Sequence, residues 1–408
     1  MKKAILLLVS FITAFSATAQ RKDFSYKFYG FVRGDLFYNS RENVEVMDGI
    51  FYLYPSNKVE DANGEDLNAN SNASFYSFTT RLGLDATGPQ LGNAKATAKI
   101  EADFAGYSTN NFLFRIRHAY VKLDWEKGSS VLLGQTWHPL FGDFYPDVNN
   151  LSPGTPFQPF NRSPQIRYTL KGNKFDLSTS AIFQLMSQTS GPEGKTTDYA
   201  KNGVLPELFA GANYIDNGLT IGAGIELLSI KPRTQTTVGE KIYKVNERLT
   251  TLSYTAHTKY EKGDLSIAGK TVLGSNLQHM TMPGGFGVTA IDPVNGKQEY
   301  TSTQHSTSWL NIAYGNKWRG GVMAGYSKNL GTFDSLVNTS LLYGSGLNID
   351  QMTTGMFSFS YNLLHWKTGI EYSVTTAWYG DIESCSGKVK NTNAVTNHRL
   401  LWMFCYLF

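Results

Sequence analysis

Apolar and polar residues alternate with a period of two along much of the chain. Ala94, Ala96, Ala98, Ile100, Ala102 and Phe104 are interleaved with Lys95, Thr97, Lys99, Glu101 and Asp103. Phe175, Leu177, Thr179, Ala181, Phe183 and Leu185 oppose Asp176, Ser178, Ser180 and Gln184. Leu219, Ile221, Ala223, Ile225 and Leu227 oppose Thr220, Gly222, Gly224 and Glu226. Successive side chains of a strand point to opposite faces, so each run carries one apolar and one polar face. The pattern predicts sixteen strands, over 25–40, 75–88, 94–108, 112–126, 129–140, 165–172, 175–186, 208–216, 219–232, 248–262, 264–276, 304–315, 318–331, 349–363, 366–381 and 394–408.

The connections sort by length. A long polar linker, 41–74, follows the first strand. Short turns then recur at 88–93, 126–128, 172–174, 216–218, 262–264, 315–317 and near Leu364-His365. Between them lie long segments: 141–164, 187–207, 233–247, 277–303, 332–348 and 382–393. The short segment 108–111 is the exception. Alternate short and long connections give one short-looped and one long-looped end, as an up-and-down antiparallel barrel across an outer membrane requires. Its apolar face would meet lipid and its polar face a water-filled lumen. A soluble sandwich would leave the sorting of loops unexplained.

The N-terminus agrees with export. Lys2 and Lys3 precede an apolar run, Ala4–Phe15, and Ala17-Thr18-Ala19 offers small residues for cleavage, so 1–19 reads as a signal peptide and 20–408 as a single barrel domain. The apolar run is too short for an anchor. Without Lys2 and Lys3 the formal charge falls from +4 to +2, which gives no reason to expect a nucleic-acid partner. Cys385 and Cys405 fall at opposite ends of the last strand region and are expected not to pair. At the C-terminus Trp402, Phe404, Tyr406 and Phe408 share one face and the last residue is aromatic. This looks like the signal read by the barrel assembly machinery, and the rings suit a membrane interface.

Candidate chemistry lies in one loop and on the early strands. Segment 141–164 carries five prolines and five aromatics, Phe141, Phe144, Tyr145, Phe157 and Phe160. Such a segment is stiff and able to pack. It reads as a constriction loop folded into the lumen, with a rigid external cap as the alternative. Arg33, Arg81, Arg115, Arg117, Arg167 and Lys99 fall at lumen parity, and Arg162 closes the loop. Set against the loop carboxylates Asp143 and Asp147, they would produce a transverse field favouring small anions; structural pairing along the wall is the plainer alternative. Arg115 and Arg117 do not share parity with His118, Tyr120 and Lys122, which predicts a bulge near 117–119.

Phe28-Tyr29-Gly30-Phe31-Val32-Arg33-Gly34-Asp35, Arg115-Ile116-Arg117-His118-Ala119-Tyr120-Val121 and Leu133-Gly134-Gln135-Thr136-Trp137 resemble the corresponding segments of DcaP-like porins. The resemblance implies a sixteen-stranded trimeric porin that passes small, often anionic solutes such as dicarboxylates, with arginines at its constriction. No counterpart of the helical N-terminal extension of the best-known members is expected before the first strand, and His138 stands where a small polar residue is expected. No cofactor is expected. Rival readings are a closed-lumen adhesive or structural barrel and an outer-membrane hydrolase. For the latter, His305 and Ser306 point to opposite faces. His257, His279, His365 and His398 are too dispersed along the chain to suggest a metal site or a catalytic residue.

Overall fold

The computed structural model describes residues 24–47, 49–106, 113–185 and 188–408. The predicted signal peptide and the connection at 108–111 lie outside them. Sixteen antiparallel strands run round a closed barrel. They are β1 (Ser25–Asn39), β2 (Asn72–Tyr76 and Arg81–Thr87), β3 (Ala94–Gly106), β4 (Leu113–Trp125), β5 (Ser129–Trp137), β6 (Arg162–Lys171), β7 (Phe175–Ile182) and β8 (Glu207–Asp216). The second half comprises β9 (Leu219–Ile230), β10 (Leu249–Lys262), β11 (Leu265–Ser275), β12 (Gln298–Gly315), β13 (Trp318–Thr332), β14 (Ile349–Asn362), β15 (Trp366–Ile382) and β16 (Val389–Leu407). Each pairs with its neighbour in sequence, and β16 closes on β1 with Gly34 opposite Phe404.

Alternation sets the faces. Ile100, Leu133, Ile166, Leu177, Ile221, Leu310, Val322 and Ile370 are exposed on the outer surface, an apolar belt that only a bilayer can cover. Exposed Phe175, Tyr314, Trp318 and Trp366 ring the end that carries the short turns, where amphipathic rings favour the interface. Trp402, Phe404, Tyr406 and Phe408 all point outward from β16. At the closing seam, a Cβ on Gly34 would lie 2.4 Å from the Phe404 ring, so the ring lies flat over bare backbone. Cys385 is exposed, Cys405 is buried, and both are free.

Several predicted boundaries move. β2 is interrupted at 77–80, where Phe78 and Thr79 turn inward and Thr79 Oγ1 donates to Asp35 at 3.1 Å. β6 starts at Arg162 rather than 165, and β12 and β16 begin at 298 and 389 rather than 304 and 394, because their first residues form hairpins beyond the barrel wall. The predicted bulge is present: Glu101 pairs with His118 and Ala102 with Ile116, leaving Arg117 as the extra residue.

The linker 41–74 is not wholly external, as its polar composition suggested. A hairpin, Asn43–Val46 with Phe51–Pro55, brings Ile50-Phe51-Tyr52-Leu53-Tyr54 into the interior, all buried. Tyr52 hydrogen-bonds Thr375 of β15, and Tyr379 donates to the Pro55 carbonyl at 2.7 Å. Burying an apolar run offsets the cost of ordering the linker.

Candidate functional site

The segment that leaves β5 at His138 and returns at Arg162 crosses the barrel interior. Its backbone and polar side chains bond to inward positions far round the wall. Asn149 N donates to Glu371 Oε2 at 2.7 Å, Asp147 N to Asn311 Oδ1 at 2.9 Å, and Trp309 Nε1 to Gln158 Oε1 at 2.9 Å. Lys270 Nζ donates to the carbonyls of Leu140 and Phe141, both at 2.8 Å. Phe141, Phe157 and Phe160 join Phe51 and Tyr54 of the hairpin and Trp309, Met323, Met352 and Tyr379 of the wall in one apolar cluster.

The charged wall faces this loop. Glu101 and Asp103 alternate on β3, so both point inward. The bulge in β4 turns Arg115, Arg117 and His118 all to the same side. Arg117 bridges Glu101 at 2.8 Å and Asp103 at 3.1 Å, while Arg115 binds Asp103 at 2.7 Å. Arg81 lies 3.4 Å from Glu101. On β1, Arg33 grips Asp35 at 2.6 Å and donates to the Asn149 carbonyl at 2.7 Å, which joins the charged cluster to the loop. Arg162 has no carboxylate within ion-pair distance among the described residues; its guanidinium lies 4.5 Å above the Trp137 ring. Five guanidiniums therefore meet three carboxylates, Asp35, Glu101 and Asp103.

The remaining expected residues sit elsewhere. Lys99 binds Asp85 at 2.7 Å and the Tyr29 hydroxyl at 2.8 Å, deeper in the barrel. Arg167 donates to Gln165 and to the Trp137 carbonyl, with Asp143 lining the same cavity of about 460 Å³ together with His257 and Lys270. Asp147 forms no ion pair with an arginine of β1–β6, although it shares a cavity with three of them. It pairs with Arg319 of β13 at 2.6 Å. Arg33, Arg81 and Arg117 line a second cavity, of about 440 Å³, with Tyr145, Asp147 and Lys367. Sequence reasoning missed Arg319, Lys270 and Lys367. Arg319 and Lys367 follow the outward Trp318 and Trp366, the same parity signal that found the early arginines, whereas Lys270 lies between Gly269 and Thr271 and carried no such signal.

His279 also departs from expectation. Folding brings it beside His138, Glu207 and Glu226 in a fully buried cluster, although the four come from separate segments of the chain. His305 is buried with neither ring nitrogen hydrogen-bonded, and no carboxylate lies within ion-pair distance of it among the described residues. It has the geometry of a core residue, not of a hydrolytic base.

No protein-family model and no curated protein sequence matches the chain. Solved structures do. The outer membrane channel DcaP of Acinetobacter baumannii superposes with a TM-score of 0.67 at 20% identity, over 95% of this chain and 99% of that one. OmpT, an outer membrane protein of Vibrio cholerae, gives 0.57 at 11% identity over 96% and 99%, and Salmonella typhi OmpF gives 0.53 at 11% over 94% and 97%. The chain has a porin-like outer-membrane channel fold. At these identities the likeness extends to the barrel and not to what passes through it. Within this porin-like barrel the loop 139–161 and the arginines it meets are the candidate site.

Proposed function

We propose that this protein is a passive diffusion channel of the cell outer membrane for small hydrophilic solutes, with a preference for anions such as dicarboxylates. The observation that carries the reading is the surplus of guanidinium over carboxylate where the loop meets β1–β6. In a confined passage a net positive field lowers the barrier for anions, and the planar guanidinium fork matches a carboxylate. Arg33, Arg81, Arg115, Arg117 and Arg162 form this passage, with Arg167, Asp143 and Asp147 in the two adjoining cavities and Lys99 further along the lumen beside Asp85. The role needs no catalytic residue and no cofactor. We further propose that 1–19 is cleaved on export, that the barrel assembly machinery reads Trp402, Phe404, Tyr406 and Phe408, and that the channel works as a homotrimer surrounded by outer-membrane lipid.

Single-channel recording in a planar bilayer tests this. Stepwise openings whose reversal potential in a salt gradient reports anion preference, reduced by added succinate, are expected. Cation preference would overturn the arginine argument. A second reading, a closed adhesive or structural barrel, is favoured by the apolar cluster that joins hairpin, loop and wall across the interior. Folded protein without conductance would select it.

A further inference from the structure

Four side chains on the long-looped side of the barrel are buried together without an evident reason in the channel reading. Glu207 opens β8 and Glu226 lies on β9. Their strands pair with Leu208 opposite Leu227 and Phe209 opposite Glu226, so the two carboxylates are diagonal neighbours on the inner face. His138 follows β5 at the start of the interior loop, and His279 sits in the turn Leu277–Met280 after β11. All four are at most 3% exposed. Leu140, Phe209, Leu277 and Met280, near them in the chain, and Ile182, opposite Glu207 on β7, belong to one buried apolar cluster.

The hydrogen bonding is incomplete in an informative way. Leu140 N donates to His138 Nδ1 at 3.1 Å, which leaves the proton of a neutral ring on Nε2. Nε2 therefore donates to Glu207 Oε1, at 2.6 Å, and orients that carboxylate. His279 Nε2 lies 3.3 Å from both Glu207 oxygens, while its Nδ1 has no partner. Neither carboxylate oxygen of Glu226 has a hydrogen-bond partner. One ligand atom each from Glu207, Glu226 and His279 lies within 4.8 Å of the others. Two adjacent carboxylates with imidazoles but, among the described residues, no Lys or Arg paired to them are costly in such surroundings unless a cation or a shared proton joins them.

We propose that Glu207, Glu226 and His279 bind one divalent transition-metal ion, such as Zn²⁺, with His138 holding Glu207 in place. Two carboxylates and one imidazole are a borderline-hard donor set suited to Zn²⁺, Mn²⁺ or Co²⁺. The hydrogen bond from His138 to a ligating carboxylate is the outer-shell contact that tunes such sites. The ion would reinforce the hydrogen bonds that join three parts of the fold: the β8–β9 wall, the turn at 277–280, and the base of the interior loop. The same turn already holds that loop, since Phe160 N donates to the Met280 carbonyl and Asn161 Nδ2 to that of His279, both at 2.8 Å.

The test uses the folded, detergent-solubilised chain, stripped with a chelator and titrated with Zn²⁺ by calorimetry and with Co²⁺ by visible absorption. Folding is checked by heat-dependent mobility on gels. About one equivalent per chain is expected, with affinity falling about tenfold or more in Glu226→Gln and His279→Ala and less steeply in His138→Gln. His398→Ala, on the outer face, should bind as the parent does. His279 lies in a turn, so its variant reports even if Glu226→Gln fails to fold. Absence of stoichiometric binding by the parent would overturn the proposal and leave the carboxyls sharing a proton. Binding that survives both Glu226→Gln and His279→Ala would overturn it too. Neither result bears on conductance.

Discussion

The inner faces of β1–β6 and of β12–β15 alternate with the same period but do different work. The first carries Arg33, Asp35, Arg81, Glu101, Asp103, Arg115, Arg117 and Arg167, in pairs that leave positive charge over. The second offers Thr307, Trp309, Asn311, Met323, Ser327, Met352, Thr354 and Thr375, all buried and uncharged, with fewer ionisable groups, among them Arg319, Lys367 and Glu371. The interior loop is fastened mainly to this largely uncharged side, through Gln158 on Trp309, Asp147 N on Asn311 and Asn149 N on Glu371. Small residues make room for it: a Cβ on Gly325 would lie 2.9 Å from the Phe157 ring. On the proposed reading, the barrel divides its wall between a half that mainly anchors the loop and a half that meets the solute, with Arg33 touching the loop from the second.

The strongest way to break this comparison is to loosen the anchor. Phe157 is 1% exposed within the apolar cluster, so Phe157→Ala should cost about 3–5 kcal/mol, read as a lower urea midpoint of the detergent-solubilised barrel. The loop would then leave the neutral wall and single-channel conductance should rise. Unchanged conductance alongside lost stability would mean that the loop does not limit the passage.

The strands were legible because lipid and lumen impose opposite demands on alternate residues. Even the bulge at Arg117 follows from the clash of parity between Arg117 and His118. The inward setting of Arg33 and Arg115 follows from Val32 and Ile116 beside them. What each charge meets was not legible. Asp147 binds Arg319, and Glu207 binds His138, across strand registers and loop paths that no short window of sequence contains. The inward hairpin had a signal, the run Ile50-Phe51-Tyr52-Leu53-Tyr54 inside a polar linker, which the polarity of its surroundings obscured.

On the charged half, Glu101→Gln removes the shared partner of Arg81 and Arg117. Leaving those donors partly unsatisfied should cost about 1–3 kcal/mol and raise anion over cation permeability, because a counter-charge is gone. A fall in anion preference would mean that the guanidiniums do not face the solute. Arg162→Gln sharpens the same point with less disturbance. Arg162 contributes charge without an acid partner and stacks on Trp137, so stability should change by about 1 kcal/mol or less while selectivity drops.

The smallest effect is expected where the two halves share a residue. Asp147 belongs to the interior loop, yet its carboxylate pairs with Arg319 on β13, in a bridge whose side chains are 42% and 24% exposed. Solvent screens such a pair, so Asp147→Asn should cost about 0–1 kcal/mol, and the difference from the parent should vanish in high salt. The loop should not move, because the backbone N–H of Asp147 still donates to Asn311 Oδ1. Conductance at high salt should therefore match the parent. A persistent change there would place the loop's anchor in the Asp147 side chain and its charge, against an anchor built from backbone hydrogen bonds and apolar packing on the neutral wall.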